Sequence, residues 1–293
     1  MALMVSIKAL QLSDEKLLRR AMITLAALLF SLIGFTANSK QENPQTRADE
    51  GGRIPIPIAA RNDVLPYVTD GATAGLEIEI INAVFTGTPY RPQFIQLPRM
   101  RMIQMFASNN IEGVLTQNNS LQGKGCITDW YIKHQNVGMT LSNRNITLDG
   151  LQDISKLSII TFDGAREFIG PNFASEARKS PRYIESSDQN IHVSLLYLGY
   201  FDLAIGDEWI LKLAQLNQKH KSDNFQPLTT HRILPSTLYA ARFHEQKVCE
   251  AFNTSLAQLR ESGQYQAIID RHFNEISAQI SVYENEMAST KKP

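Results

Sequence analysis

Hydrophobic and polar positions alternate along this chain in a way that changes period from segment to segment. The clearest case is Leu97 to Leu115, LPRMRMIQMFASNNIEGVL. It reads as a strand end, a Pro turn, an amphipathic helix with Met102, Ile103 and Phe106 on one face, a polar stop, and a second strand. Asn109 and Asn110 end the helix, because Asn tolerates the left-handed backbone of a helix stop. Strand, helix and strand in so short a space form a βαβ unit of a parallel sheet. Ligands of open α/β sheets sit beyond the carboxyl ends of the strands, here Pro98 to Arg101 and Thr116 to Asn118.

The same periodicities organise the rest. Ile54 to Ala60 is apolar but carries two prolines, which predicts an edge-like first strand. Gly75 leads into a helix with Leu76, Ile80, Ala83 and Val84 inward, and with Glu77 and Glu79 in its first turns, where negative charge suits the helix dipole. Gln93 to Leu97 alternates as a strand. Ser158 to Phe162 is strand-like and runs through the turn Asp163-Gly164-Ala165-Arg166 into a helical stretch interrupted at Gly170-Pro171. Such a turn offers backbone N–H groups to an anion. Arg182 to Ile184 is a short strand. Asp188 caps a helix with Ile191, Leu195 and Leu198 inward, stopped by Gly199. Leu203 to Gly206 is a buried strand ending at Asp207-Glu208. Two β/α blocks result, Ile54 to Lys133 and Leu148 to Leu228, with extended links at His134 to Asn143 and Leu234 to Phe243. Amphipathic helices follow from Glu245 to Phe273, and the polar end beyond Asn274 is expected to fray.

The N-terminus changes the picture of where the protein works. Lys16, Arg19 and Arg20 precede the apolar run Ala21 to Phe35, and small residues follow at Ala37-Asn38-Ser39. This is the layout of a secretory signal peptide with cleavage near Ser39. The run is short for a membrane span, which needs ~20 residues. Residues 40–53 form a polar linker. In an oxidising compartment Cys126 and Cys249 could pair, or they could be two buried small side chains.

Composition excludes several classes. The 293 residues are 43% hydrophobic and 20% charged, with 29 basic and 29 acidic side chains, so no nucleic-acid footprint is present. No phosphate loop, zinc-protease helix, nucleophile elbow or Cys-x-x-Cys motif occurs, and the scattered histidines form no ligand pair. Neither a cofactor nor a metal is expected. Trp130 and Tyr131 read as packing aromatics, while Tyr67, in a Pro turn after the first strand, faces a prospective cleft.

Several segments resemble one family in the right order. Leu65-Pro66-Tyr67 with Gly75 to Glu79 is similar to the "PPY…G-F-x-V-D-L" opening of bacterial extracellular solute-binding proteins of family 3, the receptors of polar amino-acid ABC transporters. Leu97-Pro98 with Arg101 and Ile111 to Val114 resembles their "LPW-x-R…G-x-I-D-A". Ile127 to Tyr131 is similar to "FS-x-PY", Phe201 to Glu208 to "VDAVVGD", and Ala251 to Phe273 to the closing helices. The resemblance implies a type 2 periplasmic binding fold: two α/β lobes, each a mainly parallel sheet flanked by helices, joined by two crossover strands. Lobe one would take 54–140 and 236–274, lobe two 141–235, leaving 275–293 as a polar tail.

It also implies a periplasmic monomer that closes on a small polar solute and serves a membrane ABC permease, without enzymatic activity. The solute-binding residues would be Tyr67, Arg99, Arg101, Gln117 and Asn118 on lobe one, and Gly164, Ala165, Arg166 and Asp207 on lobe two, with Asp207 receiving a ligand ammonium. Two departures stand out. The run Thr116 to Ser120 lacks the arginine that clamps an α-carboxylate in the family, and Arg99 replaces the aromatic of "LPW". The charge would then come from Arg99, Arg101 or Arg166. Two other roles exist on the same scaffold: a hydro-lyase using Glu77 or Glu208, and a sensory protein acting in trans.

Overall fold

The computed structural model describes residues 52–118, 124–218 and 226–290, with side chains through 282, all within the compact unit over 46–293. The expected signal peptide and the linker up to residue 51 lie outside the described residues.

The strands are β1 (Ile54–Arg61), β2 (Tyr90–Leu97), β3 (Gly113–Gln117), β4 (Cys126–Ile127), β5 (Ile132–Leu141), β6 (Ser158–Phe162), β7 (Arg182–Ser186), β8 (Leu203–Asp207), β9 (Leu228–His231) and β10 (Ser236–Phe243). The helices are α1 (Leu76–Phe85), α2 (Arg99–Ala107), α3 (Ala165–Ile169), α4 (Pro171–Ala177), α5 (His192–Tyr197), α6 (Glu208–Gln218), α7 (Gln246–Glu261) and α8 (Gln264–Thr290). The strands form one curled sheet in the order β2-β1-β3-β10-β5-β8-β6-β7, with β4 beside β10 and β9 beside β5.

This sheet has two halves. In the first, β1 pairs in parallel with β2 and β3, which are the two strands of the βαβ unit around α2. In the second, β6 pairs in parallel with β7 and β8. The long strands β5 and β10 join them. They pair with each other over Ser236–Tyr239 and Ile132–Gln135, after which β10 runs on to β3 and β4 while β5 runs on to β8 and β9. These are the two extended links of the sequence.

Three expectations need correction. The first strand is central, not edge-like, because it is flanked by β2 and β3. Its prolines are harmless for a geometric reason. Pro57 presents its carbonyl, and hence its missing N–H, toward β3, and pairing with β3 begins only at Ile58. Pro55 shares that parity. In the α5 region, Ile191 and Leu198 are exposed, and the inward face is Val193, Leu196 and Tyr197. The cap at Asp188 serves a 3-10 turn, Gln189–Ile191, which shifts the phase before α5 starts.

The third concerns the end of the chain, where the helix does not fray at Asn274 but continues to Thr290. Ile276 and Ile280, one helical turn apart, bury against Leu213 of α6. Trp209 of α6 stacks on Phe273, ring centroids 4.7 Å apart. The C-terminal helix thus packs on helices of both halves, since α7 and α8 otherwise lie against α1.

The cysteines are bridged. Cys126 of β4 and Cys249 of α7 have Cα atoms 6.4 Å apart, within the range a disulfide spans. The bond ties the two-residue strand β4 to the helix that covers β10.

Candidate functional site

The carboxyl ends of β1, β3 and β8 converge with the middle of β5 and β10, and this is where the buried polar side chains collect. Ordinarily a charged group this deep is paired. Here Arg61 is 5% exposed, Arg99 6%, Glu77 0%, Asp207 2% and His134 3%, so how each is paired defines the site.

Glu77 organises the first half. Its Oε1 accepts hydrogen bonds from Thr116 Oγ1 at 2.7 Å and from the Tyr131 hydroxyl. Its Oε2 faces Arg61 NH2 at 4.0 Å. Tyr131 also accepts from the Thr116 N–H at 2.9 Å, and Arg99 NH1 donates to the Thr116 carbonyl at 3.3 Å. Every polar group of Thr116 is therefore engaged. That matters because Thr116 has φ 56, a left-handed backbone that a β-branched residue adopts only when its surroundings impose it. The pairing of β3 with β10 shifts register at this point, from Gln117 opposite Ala240 to Val114 opposite Arg242. The resulting bulge turns the end of β3 into the site. Gly75, which begins α1, has φ 104, and a Cβ there would meet the Tyr67 carbonyl at 2.4 Å. Only glycine lets the Tyr67 loop lie so close.

The halves meet across a seam. Tyr67 Oη donates to Asp207 Oδ1 at 2.9 Å. Asp207 also accepts from the N–H groups of Gln135, Trp209 and Ile210, the last two at the start of α6. Four donors fill about all a carboxylate can take. Burial still pushes the Asp207 carboxyl up to about 6, against the pull of those donors. Arg99 reaches from α2 into a box of rings, 4.3 Å from Phe168 and 5.7 Å from both Phe162 and Tyr239. Asn118 Nδ2 donates to the Phe168 carbonyl at 3.1 Å. His134 stacks on Tyr67, centroids 4.1 Å apart. Burial, with Arg61 and Arg99 nearby, holds His134 well below its ordinary value, so it is neutral.

Between these groups lies a small inner cavity of about 190 Å³, lined among others by Arg61, Arg99, His134, Asn136, Gln189 and Asp207. It shares Arg61, Arg99, Phe162 and Gln189 with an outer recess of about 330 Å³ that Asn62, Asp163 and Ser187 also line. The inner space open to a solvent molecule is no larger than about one water, so any solute requires the halves to stand further apart.

Of the residues named from sequence, Tyr67, Arg99, Asn118 and Asp207 lie along the seam. Gln117 is buried beside it, with its amide donating to the Leu115 carbonyl at 2.8 Å. Gly164 sits next to Arg99, and Ala165 is buried behind it. The turn at Gly164 already holds an anion of its own: Glu185 accepts from the Gly164 N–H at 2.9 Å and ion-pairs with Arg166 at 3.3 Å. Arg166 and Arg101 are exposed and do not join the cavity. Sequence reasoning passed over Arg61, Tyr239, His134 and Gln189. The strand-end rule that picked Arg99 also applies to Arg61, the last residue of β1, once β1 is recognised as central. Among the described residues no group of three or more His, Cys, Asp or Glu side chains could hold a metal ion.

A profile of the bacterial extracellular solute-binding proteins, family 3, matches residues 56–275. No curated protein sequence matches the chain. Among solved structures, a histidine kinase sensor domain with similarity to periplasmic binding proteins superposes with a TM-score of 0.63 at 16% identity, covering 75% of this chain and 96% of that one. An ancestral arginine-binding protein bound to arginine gives a TM-score of 0.61 at 14% identity, covering 78% and 99%. An amino-acid ABC transporter substrate-binding protein of Streptococcus pneumoniae bound to L-arginine gives 0.61 at 14% identity, covering 80% and 98%. The fold is that of the type 2 periplasmic binding proteins.

Proposed function

This chain belongs to the bacterial extracellular solute-binding proteins of family 3, and we propose that it captures a small polar solute between two closing lobes for ABC-type uptake. The observation that carries the reading is the seam. Polar side chains of both halves, Tyr67 and Arg99 against Asp207 and Gln189, face one small buried cavity. Residues 54–140 and 236–274 act as lobe one and 141–235 as lobe two, hinged on β5 and β10, the kind of domain closure that receptors of this fold use. The signal peptide over 1–39 delivers a monomer to the periplasm, and an inner-membrane permease receives the solute.

Catalysis by proton transfer would need a free carboxylate, and the engagement of Asp207, Glu208 and Glu77 supports binding instead. Asp207 accepts four hydrogen bonds. Glu208 is held by Lys212 at 3.0 Å and Arg232 at 2.7 Å. Glu77 Oε1 takes two donors and Oε2 faces Arg61.

The test is a thermal-shift screen of the mature protein against amino acids, amines, small acids and sugars. A true ligand at a hundredfold excess over its Kd adds about 2.7 kcal/mol. A rise in Tm with one chemical class, without turnover of the bound compound, is the expected result. A flat response across the panel refutes the proposal.

A further inference from the structure

We infer that the solute is a small carboxylate without an α-amino group, its anionic end held between Arg61 and Arg99 in the inner cavity. The inference rests on the solute-capture reading and narrows its substrate class. It starts from an imbalance between donors and acceptors. Arg61 Nε is buried with no hydrogen-bond partner among the described residues, Arg61 NH2 only faces Glu77 Oε2 at 4.0 Å, beyond hydrogen-bonding distance, and Arg99 makes a single hydrogen bond, to the Thr116 carbonyl. His134 Nε2 is buried and unpartnered as well, and Gln189 contributes a neutral amide. Guanidinium groups are planar forks matched to carboxylate geometry, and leaving their donors buried and unsatisfied is costly. An anion seated between them would satisfy both.

Within the inner cavity the acceptor side is already spent. An α-amino acid presents an ammonium next to its carboxylate and needs an anionic partner within reach. Asp207 is the carboxylate lining the inner cavity, and its four donors come from Tyr67 and three backbone N–H groups. Glu77 does not line the cavity: its Oε1 is engaged by Thr116 and Tyr131, and its Oε2 faces Arg61 NH2 at 4.0 Å. Asp163 lines only the outer recess, where it acts as counter-charge to Arg99. The two guanidiniums also repel each other: Arg99 is pulled down to about 10, chiefly by burial and further by the charge of Arg61. A bound anion relieves that repulsion and a zwitterion does so less. With the halves this close the inner space is about water-sized, so a short acid needs the least opening.

Matched pairs give the test: acetate against glycine, succinate against L-aspartate, glutarate against L-glutamate. Each is titrated calorimetrically into the wild-type protein. The expected result is that at least one des-amino acid binds ten times or more tightly than its amino partner. Arg61→Gln and Arg99→Gln, with folding checked by circular dichroism, should each weaken that acid at least tenfold. The inference is overturned if the amino acids bind equally or better, or if the responding solute is an amine or a sugar. In those cases solute capture itself survives. Silence from every compound in both panels overturns the two together. Should either arginine variant fail to fold, the wild-type pairs still decide.

Discussion

Replacing Tyr67 by phenylalanine removes one hydroxyl from the seam and nothing from the packing around it. Tyr67 is fully buried, its ring stacks on His134, and its Oη donates to Asp207 from the opposite half of the sheet. In an open state that hydroxyl would be hydrated, so its bond counts only toward closure. A buried hydrogen bond to an ionised acceptor contributes about 1.5–3 kcal/mol. With 1.4 kcal/mol per factor of ten, Tyr67→Phe should shift the closed-to-open ratio by roughly 10–100-fold. Asp207 keeps three backbone donors, so no bare charge is left behind.

The same bond lowers Asp207 from where burial alone would put it, so the variant's carboxyl should titrate above about 6. Below that pH the acceptor is neutral and the bond contributes only about 0.5–1.5 kcal/mol. The penalty should therefore be larger at pH 7.5 than at pH 5. Small-angle scattering of the ligand-free protein at both pH values reads the closure, and carbon-detected NMR of the Asp207 carboxyl reads the titration. An unchanged scattering radius together with an unchanged Asp207 titration would refute the reasoning.

Acid stability provides a second test. His192 is 0% exposed, both ring nitrogens lack partners among the described residues, and burial pushes it down to about 4. Its folded-state value is depressed, so the unfolded chain takes up the proton first and stability falls as pH drops from about 6.5 toward 4. Asp207 works the other way: its value is raised to about 6, so lowering the pH through 6 stabilises the fold and partly masks the effect. His192→Leu should lose about 2 kcal/mol less than wild type between pH 7.5 and pH 5, read from urea midpoints. Equal slopes for the two proteins would count against it. Reduction of the Cys126–Cys249 bond, which closes a separation of 123 residues, should lower unfolding stability by about 2–4 kcal/mol. Denaturant curves with and without dithiothreitol measure this, and coincident curves would contradict a structural role for the bridge.

Much of the architecture was legible in the chain because it is written in local periodicity. The alternation of apolar strands with amphipathic helices, the stop at Asn109, with φ 57, and the break at Gly170-Pro171 are properties of consecutive residues. They located β3, β6, β8 and most helices without reference to anything distant. Arg99, at the carboxyl end of β2, could be named for the same reason.

What only the tertiary structure decided involves partners far apart in sequence. Whether β1 is central depends on which side of the strand its prolines present, and so on where β3 begins to pair. Whether α8 frays depends on Leu213 and Trp209, which lie about 60 residues earlier in the chain. The same holds for charge. Glu77 in a first helical turn is a dipole-friendly surface acid until Thr116, Tyr131 and Arg61 enclose it. Asp207 is a bare strand-end acid in the sequence, and only the fold brings Tyr67 and three backbone N–H groups to it, just as only the fold shows Arg101 and Arg166 to be exposed. A strand or helix is declared by its neighbours in sequence. A binding site is set by which donors and acceptors remain unsatisfied after folding, and that is known only once the distant partners have met.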